Sequence, residues 1–137
     1  MQGNRIIKKY LPQNITCDSL DFGKSHKFNF SLDDRKFPIN DKVYDLIICT
    51  ETLEHVMHPQ RVINEIKRVA KPDATLFFSM PNEYNFVSRI YFLLGKKTMV
   101  NEPFQIVEKH LHIHKPSIKD ILNLFSNNFK IIEVEYL

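Results

Sequence analysis

Net charge is scarce in this sequence: nineteen lysines and arginines against sixteen acids leave +3, too little for the electrostatic footprint of a nucleic-acid binder. Nucleic acid is therefore not an expected partner. Cysteine is scarce as well. Cys17 and Cys49 are the two thiols, both inside apolar runs where a reduced thiol acts as a small hydrophobe. This excludes a disulfide framework, and a cytoplasmic protein is expected. No apolar run approaches the roughly 20 residues of a membrane span. Residues 1–10 are polar and basic, without a stretch of signal-peptide character, so no membrane association is expected. There are three glycines, and no Gly-x-Gly-x-x-Gly follows a first strand, which argues against a dinucleotide oxidoreductase. Repeats, low-complexity tracts and Gly/Ser linkers are also lacking. What remains is 137 residues, 43% apolar, enough for one compact core, so residues 1–137 are read as a single domain.

Residues 4–11 place Ile6, Ile7, Tyr10 and Leu11 on one helical face, ended by Pro12. Short β-prone runs follow at 14–17, before Asp18, and at 27–30, before Asp33 and Asp34. Residues 44–49 (YDLIIC) read as a parallel strand covered on both faces at the sheet centre. Residues 60–70 carry Val62, Ile63, Ile66, Val69 and Ala70 at helical spacing, stopped by Lys71-Pro72. A second buried strand is expected at 75–80 and a helix at 86–94 that ends at Gly95. A helix opened by Pro116-Ser117 and a last alternating strand at 129–136 complete the chain. Alternating strands and helices predict an α/β sandwich with a mostly parallel sheet. Ligands in such sheets sit beyond the carboxyl ends of the strands.

The run FPINDKVYDLIICTETLEHVMHPQRVINEIKRVAKPDATLFFSMPN, residues 37–82, resembles the type 11 group of class I S-adenosylmethionine-dependent methyltransferases. Its marks are Phe37-Pro38-Ile39, Tyr44-Asp45 opening a strand, Glu54-His55 after it, Arg68 with Lys71-Pro72 closing a helix, and Pro81-Asn82 after the next strand. The resemblance continues more weakly to the carboxyl end. It implies a Rossmann-like three-layer sandwich, S-adenosyl-L-methionine as cofactor, and methyl transfer to a small-molecule or saccharide acceptor, with O-methylation favoured.

The resemblance also implies roles for particular residues. Asp18, after the second family strand, would accept hydrogen bonds from the cofactor ribose; read alone, it is equally a solvated loop acid. Asp33, with Asp34 beside it, would meet the adenine amino group, or simply form an Asp-rich turn. Thr50 and Glu51 would line the methionine end, and Gly3 is what remains of the glycine-rich loop. Glu54 and His55 are the catalytic candidates, with Asn82, Tyr84 and His110 on the acceptor side. Phe86, Tyr91 and Phe92 read mostly as helix core. Glu-x-x-Glu-His at a strand-to-helix turn can also aim Glu51, Glu54 and His55 at one divalent ion, with His110, His112 or His114 as a later ligand. That set would suit a metal-dependent RNA 2′-O-methyltransferase, whereas many relatives hold no metal there and use Glu54-His55 to cap the turn.

The departure from the family is at the amino end. The first strand and the Asp-x-Gly-x-Gly-x-Gly loop are missing, and Gln2-Gly3-Asn4 resembles that loop's tail. The last antiparallel strand is missing too, so the sandwich is expected to be incomplete. Either the second strand closes onto the fourth, or exposed strand edges pair in a homodimer. A non-catalytic domain with impaired cofactor binding is the corresponding alternative function. Asp73-Ala74 stands where the family favours Gly-Gly, and asparate-type side chains tolerate a left-handed turn there.

Overall fold

The structure, a computed structural model, describes residues 10–21, 27–34, 36–82, 86–96 and 112–136. The elements are β1 (Leu20–Asp21), β2 (Phe28–Asn29), β3 (Tyr44–Thr50), α1 (Pro59–Val69), β4 (Ala70–Ser79), α2 (Phe86–Leu93) and α3 (Ile118–Ser126). Four of the expected elements appear close to their predicted limits. α1 starts with Pro59, whose missing N–H costs nothing in the first turn. Lys67 and Arg68 occupy its last turn, where the helix dipole favours cations.

β3 and β4 run parallel, joined through α1, with Ile47 beside Leu76, Cys49 beside Phe78 and Thr50 beside Ser79. The register slips between Tyr44 and Leu46, which lets the Lys71-to-Ala74 segment bulge from the ladder. Among the described non-glycine residues, positive φ occurs at Lys42 and Glu51, so Asp73 needs no left-handed turn. The core is Phe37, Leu53, Val56, Val62, Ile63, Ile66 and Val69, and one sheet face (Ile47, Cys49, Leu76, Phe78) packs against it. Phe78 also meets Phe125 and Phe129 at the end of α3, with ring centroids 4.5 and 5.9 Å apart.

Several expectations are corrected. β3 is not covered on both faces: Leu46, Ile48 and Phe77 on the other face are about half exposed, because α1 and α3 both pack on the Phe78 side. Among the described residues no strand lies along the outer edge of β3. The run 14–17 is no strand, since the Ile15 N–H is taken by the Pro12 carbonyl in a turn (3.0 Å). Pairing starts later, with Leu20 beside Phe28 and Asp21 beside Asn29. The second strand does not close onto the fourth: β1–β2 and β3–β4 are two separate sheets, held together by side chains such as Leu20, Phe30 and Leu32 on the core. Residues 129–136 are unpaired by any described strand, and Ile132 and Tyr136 stay exposed. Among the described residues no helix is long and apolar enough to cross a membrane.

α3 begins with a capping box: the Asp120 N–H donates to Ser117 Oγ (3.3 Å) and the Ser117 N–H to Asp120 Oδ2 (3.0 Å). The Ser117 hydroxyl is the main cause of an Asp120 carboxyl held below its usual range. Ser117→Ala is expected to cost about 1 kcal/mol in denaturant unfolding; an unchanged midpoint would mean the cap is idle.

Candidate active site

The turn between β3 and α1 is built to hold one polar group inside the protein. Thr50 ends β3 and pairs with Ser79, after which Glu51 takes a left-handed φ of 45°, a conformation that costs a non-glycine residue energy. Its N–H donates to the Ser79 carbonyl (3.1 Å), and Ser79 Oγ donates to its Oε1 (2.9 Å). The carboxylate of Glu51 is therefore tied to the end of β4. Thr52 Oγ1 donates to the Thr50 carbonyl (2.7 Å), and the His55 N–H to the Thr52 carbonyl (3.1 Å). This curl drives Leu53 and Val56 into the core and carries Glu54 in between them, at 0% exposure.

Neither carboxylate oxygen of Glu54 has a hydrogen-bond partner. Burial pushes its carboxyl above the usual range and Glu51 adds to the effect, while the nearby backbone N–H of Glu54 itself, then His55 and His112, pull the other way. His55 Nε2 stands 3.9 Å from Glu54 Oε1, and the His112 ring meets the His55 ring edge-on at 4.7 Å. Ligand atoms of Glu54, His55 and His112 all fall within 4.8 Å of one another. Residues 112–114 form a clasp over the turn: the Ile113 and His114 N–H groups donate to the Glu54 carbonyl (2.8 and 3.1 Å), and His114 Nε2 meets the Val56 carbonyl (2.8 Å). Cys49, beneath, has its thiol pushed up to about 11 by burial, so it is a neutral packing group.

Asp33 reaches this turn. Its Oδ1 accepts the Met57 N–H (2.7 Å), and Arg61 donates to its carbonyl. Asp34 is exposed beside it. Asn82, three residues after the Ser79 that pairs with Thr50, lies beyond the same strand ends. Asp18 does not join them. It accepts the Tyr44 hydroxyl (3.0 Å) and Lys27 Nζ (2.7 Å), and Tyr44 opens β3, about 20 Å of strand away from Thr50. Burial, then Asp18, push the Tyr44 phenol up to about 12, which keeps it a donor. The reason is the strand position: Asp18 precedes β1 (Leu20–Asp21) and so stands before that strand, not after its carboxyl end. Gly3, Tyr84 and His110 lie outside the described residues. Of the alternating histidines, the structure brings His112 and His114 to the turn.

Parallel strands joined through a crossover helix are the arrangement of a Rossmann-like α/β domain, and the turn at the carboxyl end of β3 holds a buried carboxylate beside two imidazoles. Residues 4–134 match the family described as Methyltransferase domain, and the chain belongs to it, among the class I S-adenosylmethionine-dependent methyltransferases. The chain is similar to a ubiquinone biosynthesis O-methyltransferase of Vibrio atlanticus, 32% identical over 64% of this chain and 36% of that protein. It is also similar to one of Coxiella burnetii, 34% identical over 60% of this chain and 38% of that protein. These matches span little more than a third of the relatives' length. A solved methyltransferase of Thermotoga maritima, described as a possible histamine N-methyltransferase, shares the fold with TM-score 0.51 at 17% identity, over 72% of this chain and 42% of that one.

Proposed function

We propose that this chain transfers the methyl group of S-adenosyl-L-methionine to an oxygen of a small-molecule acceptor. The observation that carries the reading is the buried Glu54 carboxylate, without a hydrogen-bond partner and beside His55 and His112, at the end of β3. A charge-bearing group is not left unsatisfied in a core without a reason. The names of the curated relatives favour oxygen as the nucleophile, and a net charge of +3 favours a small acceptor over RNA. In this reading the backbone of Thr50 and Glu51 borders the methionine end. Asp33 stands on the adenine side. Asn82, Tyr84 and His110 belong to the acceptor side.

His55 accepts the proton of the acceptor hydroxyl as the oxygen attacks the methyl carbon in line. The new C–O bond forms while the methyl–sulfur bond breaks, and the sulfonium becomes a neutral thioether. Glu54 offsets the positive charge left on the imidazole. A second reading rests on the same cluster. The orphaned oxygens of Glu54, with His55 and His112, are a donor set that fits a divalent cation. Such an ion would supply Lewis-acid lowering of the hydroxyl's pKa.

Calorimetric titration of the full chain with S-adenosylhomocysteine tests the cofactor reading. Binding in the micromolar range is expected; no heat at millimolar ligand would favour a domain that keeps the fold without the activity.

A further inference from the structure

Arg61 stands where electrostatics and hydrogen bonding both disfavour it. It is the third residue of α1, in a first turn that holds no acid, and the positive end of the helix dipole repels a cation there. Its side chain is partly buried, and Nε is fully buried without a hydrogen-bond partner, so the hydration that this donor loses is not offset. An arginine on a solvated helix face would carry neither cost.

The guanidinium holds the turn that carries Asp33. Nη2 donates to the Asp33 carbonyl and lies 4.0 Å from Asp33 Oδ1. The same Oδ1 accepts the Met57 N–H (2.7 Å) from the segment that buries Glu54, and the Asp33 N–H donates to Ser31 Oγ (3.3 Å). Asp33 is thus gripped through its carbonyl, its N–H and one carboxylate oxygen, while Oδ2 has no partner among the described residues. A carboxylate oxygen held in place and left open on a partly exposed side chain is an acceptor for a ligand N–H.

We infer that Arg61 is the positioning residue that makes this rim selective for a 6-amino purine. The inference rests on the methyltransferase reading above, in which Asp33 stands on the adenine side. A carboxylate accepts a hydrogen bond from the 6-amino group of adenine, whereas the 6-oxygen of hypoxanthine is itself an acceptor and faces the carboxylate with no proton between them. Hypoxanthine does offer a donor one ring atom away, at N1, so discrimination requires a carboxylate that cannot shift to follow it. Arg61 supplies that restraint. Without it the Asp33 carbonyl is released, and the turn is tied to α1 through the Met57 N–H alone.

Equilibrium binding of S-adenosylhomocysteine and S-inosylhomocysteine to the full chain decides the matter. The wild type is expected to bind the adenosyl ligand at least about tenfold more tightly than the inosyl one. Arg61→Met keeps the stem and removes both the orphaned donor and the first-turn cation, so its melting temperature should stay close to that of the wild type. Its preference for the adenosyl ligand should nevertheless fall to about threefold or less. Arg61→Lys, which lacks the planar fork, should fall between the two and serves if the methionine variant does not fold. Asp33→Asn, whose amide can donate to the 6-oxygen, should lose the preference outright. The inference is overturned if either Arg61 variant keeps the wild-type ratio, or if both ligands weaken by the same factor, the mark of a merely structural support. A wild type that binds the two ligands equally overturns it while leaving the methyltransferase reading in place. A wild type that binds neither removes that reading, and the selectivity of Arg61 with it.

Discussion

Glu54→Gln is expected to produce a protein that unfolds later and works far less well. Glutamine keeps the shape of the side chain and removes the group that burial disfavours. The Glu54 carboxyl is at 0% exposure with both oxygens unpartnered, and its pKa is raised first of all by that burial. A neutral amide in the same space relieves a desolvation cost of about 1–3 kcal/mol, which corresponds to a rise of a few degrees in melting temperature. The catalytic consequence is opposite in sign. With the carboxylate gone, nothing offsets the charge on His55, and the rate of methyl transfer should fall by about a hundredfold or more. In the proposed reading Glu54 acts through the histidines beside it, so binding of S-adenosylhomocysteine should change little. Titration with manganese separates the two readings of the cluster: uptake by the wild type and none by Glu54→Gln would support a metal site, whereas no uptake by either would leave the acid–base reading. A variant that melts earlier than the wild type, with activity intact, would show Glu54 to be a structural residue and remove the proposal.

How far the sequence prefigures this site depends on the range over which each residue is held. α1 was legible because Val62, Ile63, Ile66 and Val69 repeat at helical spacing, and β3 because YDLIICT is a short apolar run. The covering of β3 was not legible. A continuous apolar run says that a strand can be buried on both faces, while which faces are covered is decided by elements far along the chain. The strand expected at 14–17 was misplaced because that apolar run competes with a turn from Pro12, and a single N–H bond from Ile15 settles the matter for the turn. Glu54-His55 could be recognised as a pair, but the burial of Glu54 could not. It is produced by the clasp of residues 112–114, whose His114 meets Val56 across 58 residues of sequence. For the same reason the three alternating histidines were indistinguishable until His112 was found against His55.

Arg68 shows the converse, a residue marked in the sequence whose work becomes visible only in its contacts. Its guanidinium donates to Glu65 through Nε (3.0 Å) and Nη2 (2.7 Å), to Asp41 through Nη1 (2.5 Å), and to the carbonyls of Ile39 (2.8 Å) and Phe37 (3.2 Å). Glu65 in turn accepts the Phe37 N–H (2.8 Å). One side chain of α1 thereby fixes the turn that seats Phe37 in the core and leads into β3. Arg68→Ala should cost about 2 kcal/mol at neutral pH, since it takes the guanidinium from the Ile39 and Phe37 carbonyls and leaves the mostly buried Glu65 carboxylate with the Phe37 N–H but no cation. Arg68→Lys should recover less than half, because an ammonium cannot reach four acceptors in a plane. The pH dependence identifies the cause. The hydrogen bond from Arg68 holds the carboxyls of Glu65 and Asp41 below their usual range, so their contribution is complete above the unfolded carboxylate pKa of about 4 and is lost as pH falls through the lower folded values. Wild type and Arg68→Ala should therefore differ most at neutral pH and converge in acid. Denaturant midpoints measured from neutral pH down to strongly acidic solution check this, with exposed Lys67→Ala as a control expected to stay within about 0.5 kcal/mol of the wild type. A gap that stays constant with pH would assign the loss to the packing of the arginine stem, and the charged clamp would not be what holds the Phe37 turn.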